Sequence, residues 1–103
     1  MALYGGFAGT ETSSVDRDAA VNLTVLTGDL NDDDTNKVNG VTTSALDING
    51  TNSTCVVTTS PGCGPATVLD GFTITAGDNP NSGGGMSLEN SSPTVTNCAF
   101  SGN

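Results

Sequence analysis

The sequence predicts an all-β chain wound as a parallel solenoid of about four coils, and three observations carry that expectation. Thr (16), Gly (14), Asn (11) and Ser (10) make up half of the 103 residues, while strong helix formers are scarce. The apolar residues fall in short clusters closed by Gly, Asn or Asp, as short strands do. One segment recurs at a fixed offset of 26 residues, the mark of a repeat architecture. In chain order the strand-like segments are Ala2–Phe7, Leu23–Leu26, Ala45–Ile48, Cys55–Thr58, Thr67–Leu69, Phe72–Thr75, Gly85–Leu88, Thr94–Thr96 and Cys98–Phe100. Two polar loops, residues 8–21 and 31–44, protrude between them, and the second carries Asp32, Asp33 and Asp34.

The repeat aligns residues 69–77 with residues 95–103. Leu69 then matches Val95, Phe72 matches Cys98, and Ile74 matches Phe100. At the bend, Gly71 matches Asn97, and both residue types tolerate a left-handed backbone. The clearest repeats are 66–91 and 92–103, and the chain 1–103 reads as a single segment. A weaker echo sets residues 24–28 against residues 67–71. In a parallel solenoid such positions stack into ladders, and every coil needs a neighbour to pair its strands. Neither end shows a capping helix, and Ala2–Phe7 and Cys98–Phe100 are both apolar. Uncapped ends expose unpaired strand edges, so head-to-tail stacking of copies is expected.

Charge excludes several functions. Two cations against eleven acids give a net charge of −9, which rules out phosphate-backbone binding. No apolar run is long enough to span a bilayer. His is absent, which removes most general-base and metal-hydrolase chemistry. Asp29, Asp47, Asp70 and Asp78 could act as a hydrolytic carboxylate pair by count alone, but no spacing singles out two of them. Asp70, beside Gly71, reads as a turn former, and Arg17 reads as an ion pair with Asp16 or Asp18. No enzyme is expected.

The acidic loop is the one dense set of ligands. Asp29, Asn31 and Asp33 alternate as the oxygen ligands of a calcium loop do. The sixth position is Asp34 rather than Gly, and the twelfth is Gly40 rather than Glu, so a solvated acidic loop stands beside the calcium reading. Of the three cysteines, Cys55 and Cys63 bracket Pro61-Gly62, and a turn there would join them in a local disulfide, with two free thiols as the alternative. Cys98 reads as a small buried hydrophobe.

Several stretches resemble a known group. Residues 3–13, Arg17-Asp18, residues 27–31, residues 69–75, Gly84-Gly85-Met86 and residues 100–103 are similar to repeats of right-handed parallel β-helix proteins of bacterial surfaces. The Gly-Gly-x-Met and Phe-x-x-Asn elements resemble those of chlamydial polymorphic membrane proteins and adhesin-like passenger domains. The resemblance implies a right-handed, single-stranded β-helix without evident caps. It also implies an extracellular or cell-surface setting, as part of a larger secreted parent. The function it implies is a non-enzymatic scaffold or adhesin-like segment, with a host-surface or glycan ligand as partner. The competing expectation is a carbohydrate-active β-helix module of the polysaccharide lyase or glycoside hydrolase kind.

Overall fold

The structure is a computed structural model that describes residues 1–81 and 83–103; Ser82, within the expected repeat 66–91, lies outside the described residues. It is all-β and its sheets are parallel. The strands are β1 (Ala2–Tyr4), β2 (Val25–Thr27), β3 (Val57–Thr58), β4 (Val68–Asp70), β5 (Thr73–Thr75), β6 (Met86–Ser87), β7 (Thr94–Thr96) and β8 (Ala99–Ser101). One sheet runs β1-β4-β7, a second β2-β5-β8, and a third pairs β3 with β6. The chain therefore visits the three sheets in rotation, and each pass adds one parallel strand to each sheet it reaches.

Register follows the 26-residue repeat between the second and third passes, whereas the first pass pairs at wider offsets, and the weaker echo of residues 24–28 with 67–71 does not hold, since β2 pairs with β5. Leu3 faces Leu69 and Leu69 faces Val95; Leu26 faces Ile74 and Ile74 faces Phe100. Like side chains thus stack on like between passes, which is how strands this short hold an apolar core. That core is Leu69, Phe72 and Ile74, with Leu26, Val56, Val57, Met86 and Cys98 packed against it. Its middle layer is the best covered: Ile74 is 0% exposed, whereas Phe100, in the last pass, is 48% exposed.

Two rows of bends close the strands. After β4 and β7 the chain turns at Gly71 (φ 87°) and Asn97 (φ 51°); after β5 and β8 it turns at Ala76 (φ 64°) and Gly102 (φ 59°). The bends continue the ladder, since Gly5 N–H donates to Asp70 O at 2.7 Å and Gly28 N–H donates to Thr75 O at 2.9 Å. At Gly71 a Cβ would stand 2.9 Å from Gly5 O and 2.8 Å from Arg17 Nη1. Stacked bends leave no space for a side chain there.

Four expectations need correction. The strands make three passes rather than about four, and the shortest dimension of the molecule, 17 Å, fits three strands about 4.8 Å apart. The expected strand Ala45–Ile48 does not form: Ala45–Asp47 is a 3-10 turn capped by the Ser44 side chain. Leu46 within it is 94% exposed and reaches no core. The Cys55–Cys63 disulfide is not formed, and all three cysteines are free. Residues 55–63 do not fold back on themselves; they run forward beside the next pass, with Gly62 N–H donating to Asn90 O and Ser92 N–H to Cys63 O. The acidic loop does not protrude as a whole, because Asp34 and Thr42 are buried at its base.

The fourth correction concerns partners. The ends are not bare apolar plates. In the first pass the Arg17 guanidinium lies 4.9 Å from the centre of the Tyr4 ring. In the last pass the Thr42 carbonyl of the acidic loop fills the space above Gly102. Head-to-tail stacking through these ends is therefore withdrawn, and the host-surface or glycan partner with it. No helix among the described residues is long and apolar enough to cross a membrane.

The ladder makes two expectations for stability. Ile74→Ala should cost about 2–5 kcal/mol by opening the best-covered layer. Gly71→Ala should cost at least about 1–2 kcal/mol from the left-handed backbone alone. Urea unfolding followed by circular dichroism measures both.

Candidate functional site

Two polar clusters sit where long loops leave the strands. The first tethers residues 8–21. Within that loop the Glu11 carboxylate accepts the backbone N–H groups of Ala8 and Gly9 at 2.6 and 3.0 Å. The Ala8 N–H is the main reason its pKa lies below the usual carboxylate value. Further on, Arg17 reaches over the first row of bends. Its Nη2 donates to Asp70 Oδ2 at 2.6 Å and its Nη1 to Gly5 O at 3.2 Å. Asn97 Nδ2 donates to the other Asp70 oxygen at 3.0 Å. Arg17 and the Asp70 carboxylate together join the loop to all three passes, through Tyr4, Asp70 and Asn97. Arg17 pairs with Asp70, and not with the neighbouring Asp16 or Asp18 as the sequence suggested. Tyr4 and Asp70 are register partners, so the end of β1, where the loop departs, lies beside this acid.

The second cluster is the base of the acidic loop. Asp29, Asp33 and Asp34 each bring a carboxylate oxygen within 4.8 Å of the others. Asp29 caps the turn by accepting Asp33 N–H at 3.1 Å and Asp34 N–H at 3.2 Å. Asp34 is buried and fully engaged: it accepts Thr42 Oγ1 at 2.8 Å, Asn49 N–H at 2.8 Å and Asn52 Nδ2 at 3.1 Å. Lys37 Nζ donates to Asp29 Oδ2 at 2.8 Å and also to Asp32. That ammonium is the main cause lowering the Asp29 pKa, and Asp29 in turn raises that of Lys37. At the tip, Val38 and Val41 exchange backbone hydrogen bonds around Asn39-Gly40, both with positive φ, the backbone of a tight two-residue turn. The loop is fixed to the sheets as well. Thr75 Oγ1 donates to Thr42 O at 2.8 Å, and Asn52 Nδ2 donates to Ala76 O at 3.0 Å.

The expected calcium set of Asp29, Asn31 and Asp33 is only partly brought together. Asn31 is exposed and Asp34 takes its place. Between Asn31 and Asp33, Asp32 adopts a left-handed backbone with φ 57°. Lys37, Thr42 and Asn52 escaped the sequence reading, which placed Asp34 in the acidic loop but not among its ligands. The usable signal was Lys37, the single lysine, a few residues after the acidic run. The other carboxylates do not gather: Asp70 is held by Arg17, Asp47 accepts Asn36 Nδ2 at 2.8 Å, and Asp78 is exposed. A groove of about 580 Å³ lies between the polar loop and the first row of bends, with Arg17, Asp18, Phe72 and Cys98 on its walls. Comparison with protein-family models, with curated proteins and with solved structures finds no match.

The Arg17 tether has a defined pH dependence. Arg17 first, then Asn97, holds the Asp70 carboxyl below its ordinary value. Its stabilisation is therefore complete above about pH 4 and is lost as the pH falls through the lower folded-state value. Asp70→Asn should cost about 1.5–3 kcal/mol at neutral pH, and the difference from wild type should vanish in strong acid. Urea midpoints at the two pH values test this. Trypsin gives a second readout at neutral pH, because Arg17 and Lys37 are the two tryptic residues and both are ion-paired. Cleavage after Arg17 should be slow in the wild type and faster in Asp70→Asn.

Proposed function

We propose that the chain is a segment of a right-handed, single-stranded parallel β-helix and serves as a non-enzymatic structural scaffold in an extracellular bacterial surface protein. It would then be similar to chlamydial polymorphic membrane proteins and adhesin-like passenger domains. The observation that carries this reading is the in-register parallel pairing of residues 26 positions apart in two of the three sheets. That arrangement repeats one unit along an axis and is suited to holding distance and shape. The polar clusters support the same reading. The first long loop is tied to the sheets by the Arg17–Asp70 ion pair and the second by the buried hydrogen bond from Thr75 to Thr42 O, as a rigid spacer requires.

The carbohydrate-active alternative needs two carboxylates facing each other across a groove. Here the three that converge belong to one loop, where Asp29 and Asp34 already bind Lys37, Thr42, Asn49 and Asn52. The groove beside the polar loop has Asp18 as its carboxylate. Acidic and neutral polysaccharides incubated with the chain should release neither reducing ends nor unsaturated uronates above the buffer rate. Turnover that disappears in Asp29→Asn or Asp70→Asn would overturn the scaffold reading in favour of the enzyme.

A further inference from the structure

We propose that Asn39, at the tip of the acidic loop, is a site of spontaneous covalent modification, where attack by the Gly40 backbone nitrogen expels the side-chain amide as ammonia and opens the turn. An asparagine followed by glycine is open to this attack because no Cβ shields the nitrogen. The chain holds two such pairs, Asn39-Gly40 and Asn49-Gly50, and one aspartate followed by glycine, Asp70-Gly71.

The structure separates the three. Asn49 is held at both ends: its N–H donates to Asp34 Oδ1 at 2.8 Å and its Nδ2 to Asp33 O at 3.3 Å. The Asp33 carboxylate also lies against Gly50, where it opposes negative charge on the attacking nitrogen. Asp70 is tied to Arg17 and Asn97, and the Gly71 N–H donates to Thr96 O at 3.2 Å. Asn39 and Gly40, by contrast, are exposed. Among the described residues the Asn39 carboxamide and the Gly40 N–H make no hydrogen bond. Nothing lies within 4 Å of where a Gly40 Cβ would stand. The nitrogen reaches the carboxamide once the turn opens, and the pair of hydrogen bonds between Val38 and Val41 is what closes it.

The step balances with water as its single co-reactant. The Gly40 nitrogen gives up its proton and bonds to Asn39 Cγ. The Cγ–Nδ2 bond breaks, ammonia leaves with that proton, and a cyclic succinimide remains. Water then opens the ring at either carbonyl. One product has aspartate at position 39. The other has isoaspartate, whose backbone runs through the side-chain carboxyl and is a methylene longer. Both add a negative charge to a loop that already sets Asp29 and Asp32 against Lys37. The longer backbone no longer fits a two-residue turn of left-handed residues. Thr42 stands just beyond that turn and fastens the loop: its hydroxyl donates to Asp34 and its carbonyl accepts Thr75 Oγ1, both at 2.8 Å. Loss of the turn therefore falls next to the point where the loop is attached to the second pass.

Ageing the full chain in warm neutral buffer, followed by peptide mapping with mass spectrometry and isoaspartate detection, tests the site. Asn39 should convert at least about tenfold faster than Asn49, whose two hydrogen bonds must break first. In the urea-unfolded chain both pairs are free, and the difference should close. Asn39→Gly keeps a residue suited to the left-handed turn and should lose the reaction at that position. In the converted chain the Val41 N–H, which donates to Val38 O at 2.9 Å, should exchange with solvent several-fold faster than in the fresh one. Two results would overturn the site: Asn39 intact in the folded chain while it converts in urea, or Asn49 converting as fast as Asn39 in the folded chain. Unchanged Val41 exchange in a chain carrying isoaspartate refutes the opening of the turn.

Discussion

A three-residue parallel strand can neither pair its own edge nor cover its own apolar row. Everything in this molecule follows from that limit. Each pass must return to the same sheets in register, so that Leu69 finds Leu3 on one side and Val95 on the other. The hydrogen bonds and the core are then built by the same stacking. The thin apolar content of the sequence, 34%, is sufficient because it is concentrated in a few aligned positions. The cost appears at the ends of the stack, where Leu3 and Phe100 stay about half exposed while Ile74 between them is sealed.

Register needs sharp bends at fixed places, and the bends explain the composition. Gly71, Asn97, Ala76 and Gly102 all adopt a left-handed backbone in two stacked rows. Asn is suited to the position between passes because its side chain also bonds the neighbouring strand, as Asn97 does with Asp70. Ala76 is the exception: an alanine with positive φ, fully buried, held by the Gly28 bend on one side and by the bond its N–H donates to Gly102 O on the other. The long loops leave at these same rows, and the two cations of the chain sit there. Arg17 ties one loop down and Lys37 neutralises part of the other.

The sheets were legible in the sequence because their determinant is local and periodic. Leu69 with Val95 and Ile74 with Phe100 could be read from spacing alone, and so could the bend pair Gly71 and Asn97. The error at Ala45–Ile48 has a clear cause: its apolar residues suit a strand, but the Ser44 cap and the acidic loop hold it in a turn. The polar clusters were harder to read, since they depend on contacts that no period reports. Arg17 passes over its neighbours Asp16 and Asp18 to reach Asp70, 53 residues away. The hydrogen bond from Asn52 to Asp34 likewise spans the whole acidic loop. The expected disulfide failed for a related reason. Pro61-Gly62 looks like a hairpin turn when read locally, but the pull of the next parallel strand carries the segment forward.

Nuclear Overhauser contacts in solution examine the stacking itself. The account predicts through-space contacts between Leu3 and Leu69, Leu69 and Val95, Leu26 and Ile74, and Ile74 and Phe100, in parallel register. A spectrum with contacts confined to near neighbours in sequence, or with antiparallel pairing of residues 68–75 against residues 94–101, would contradict it.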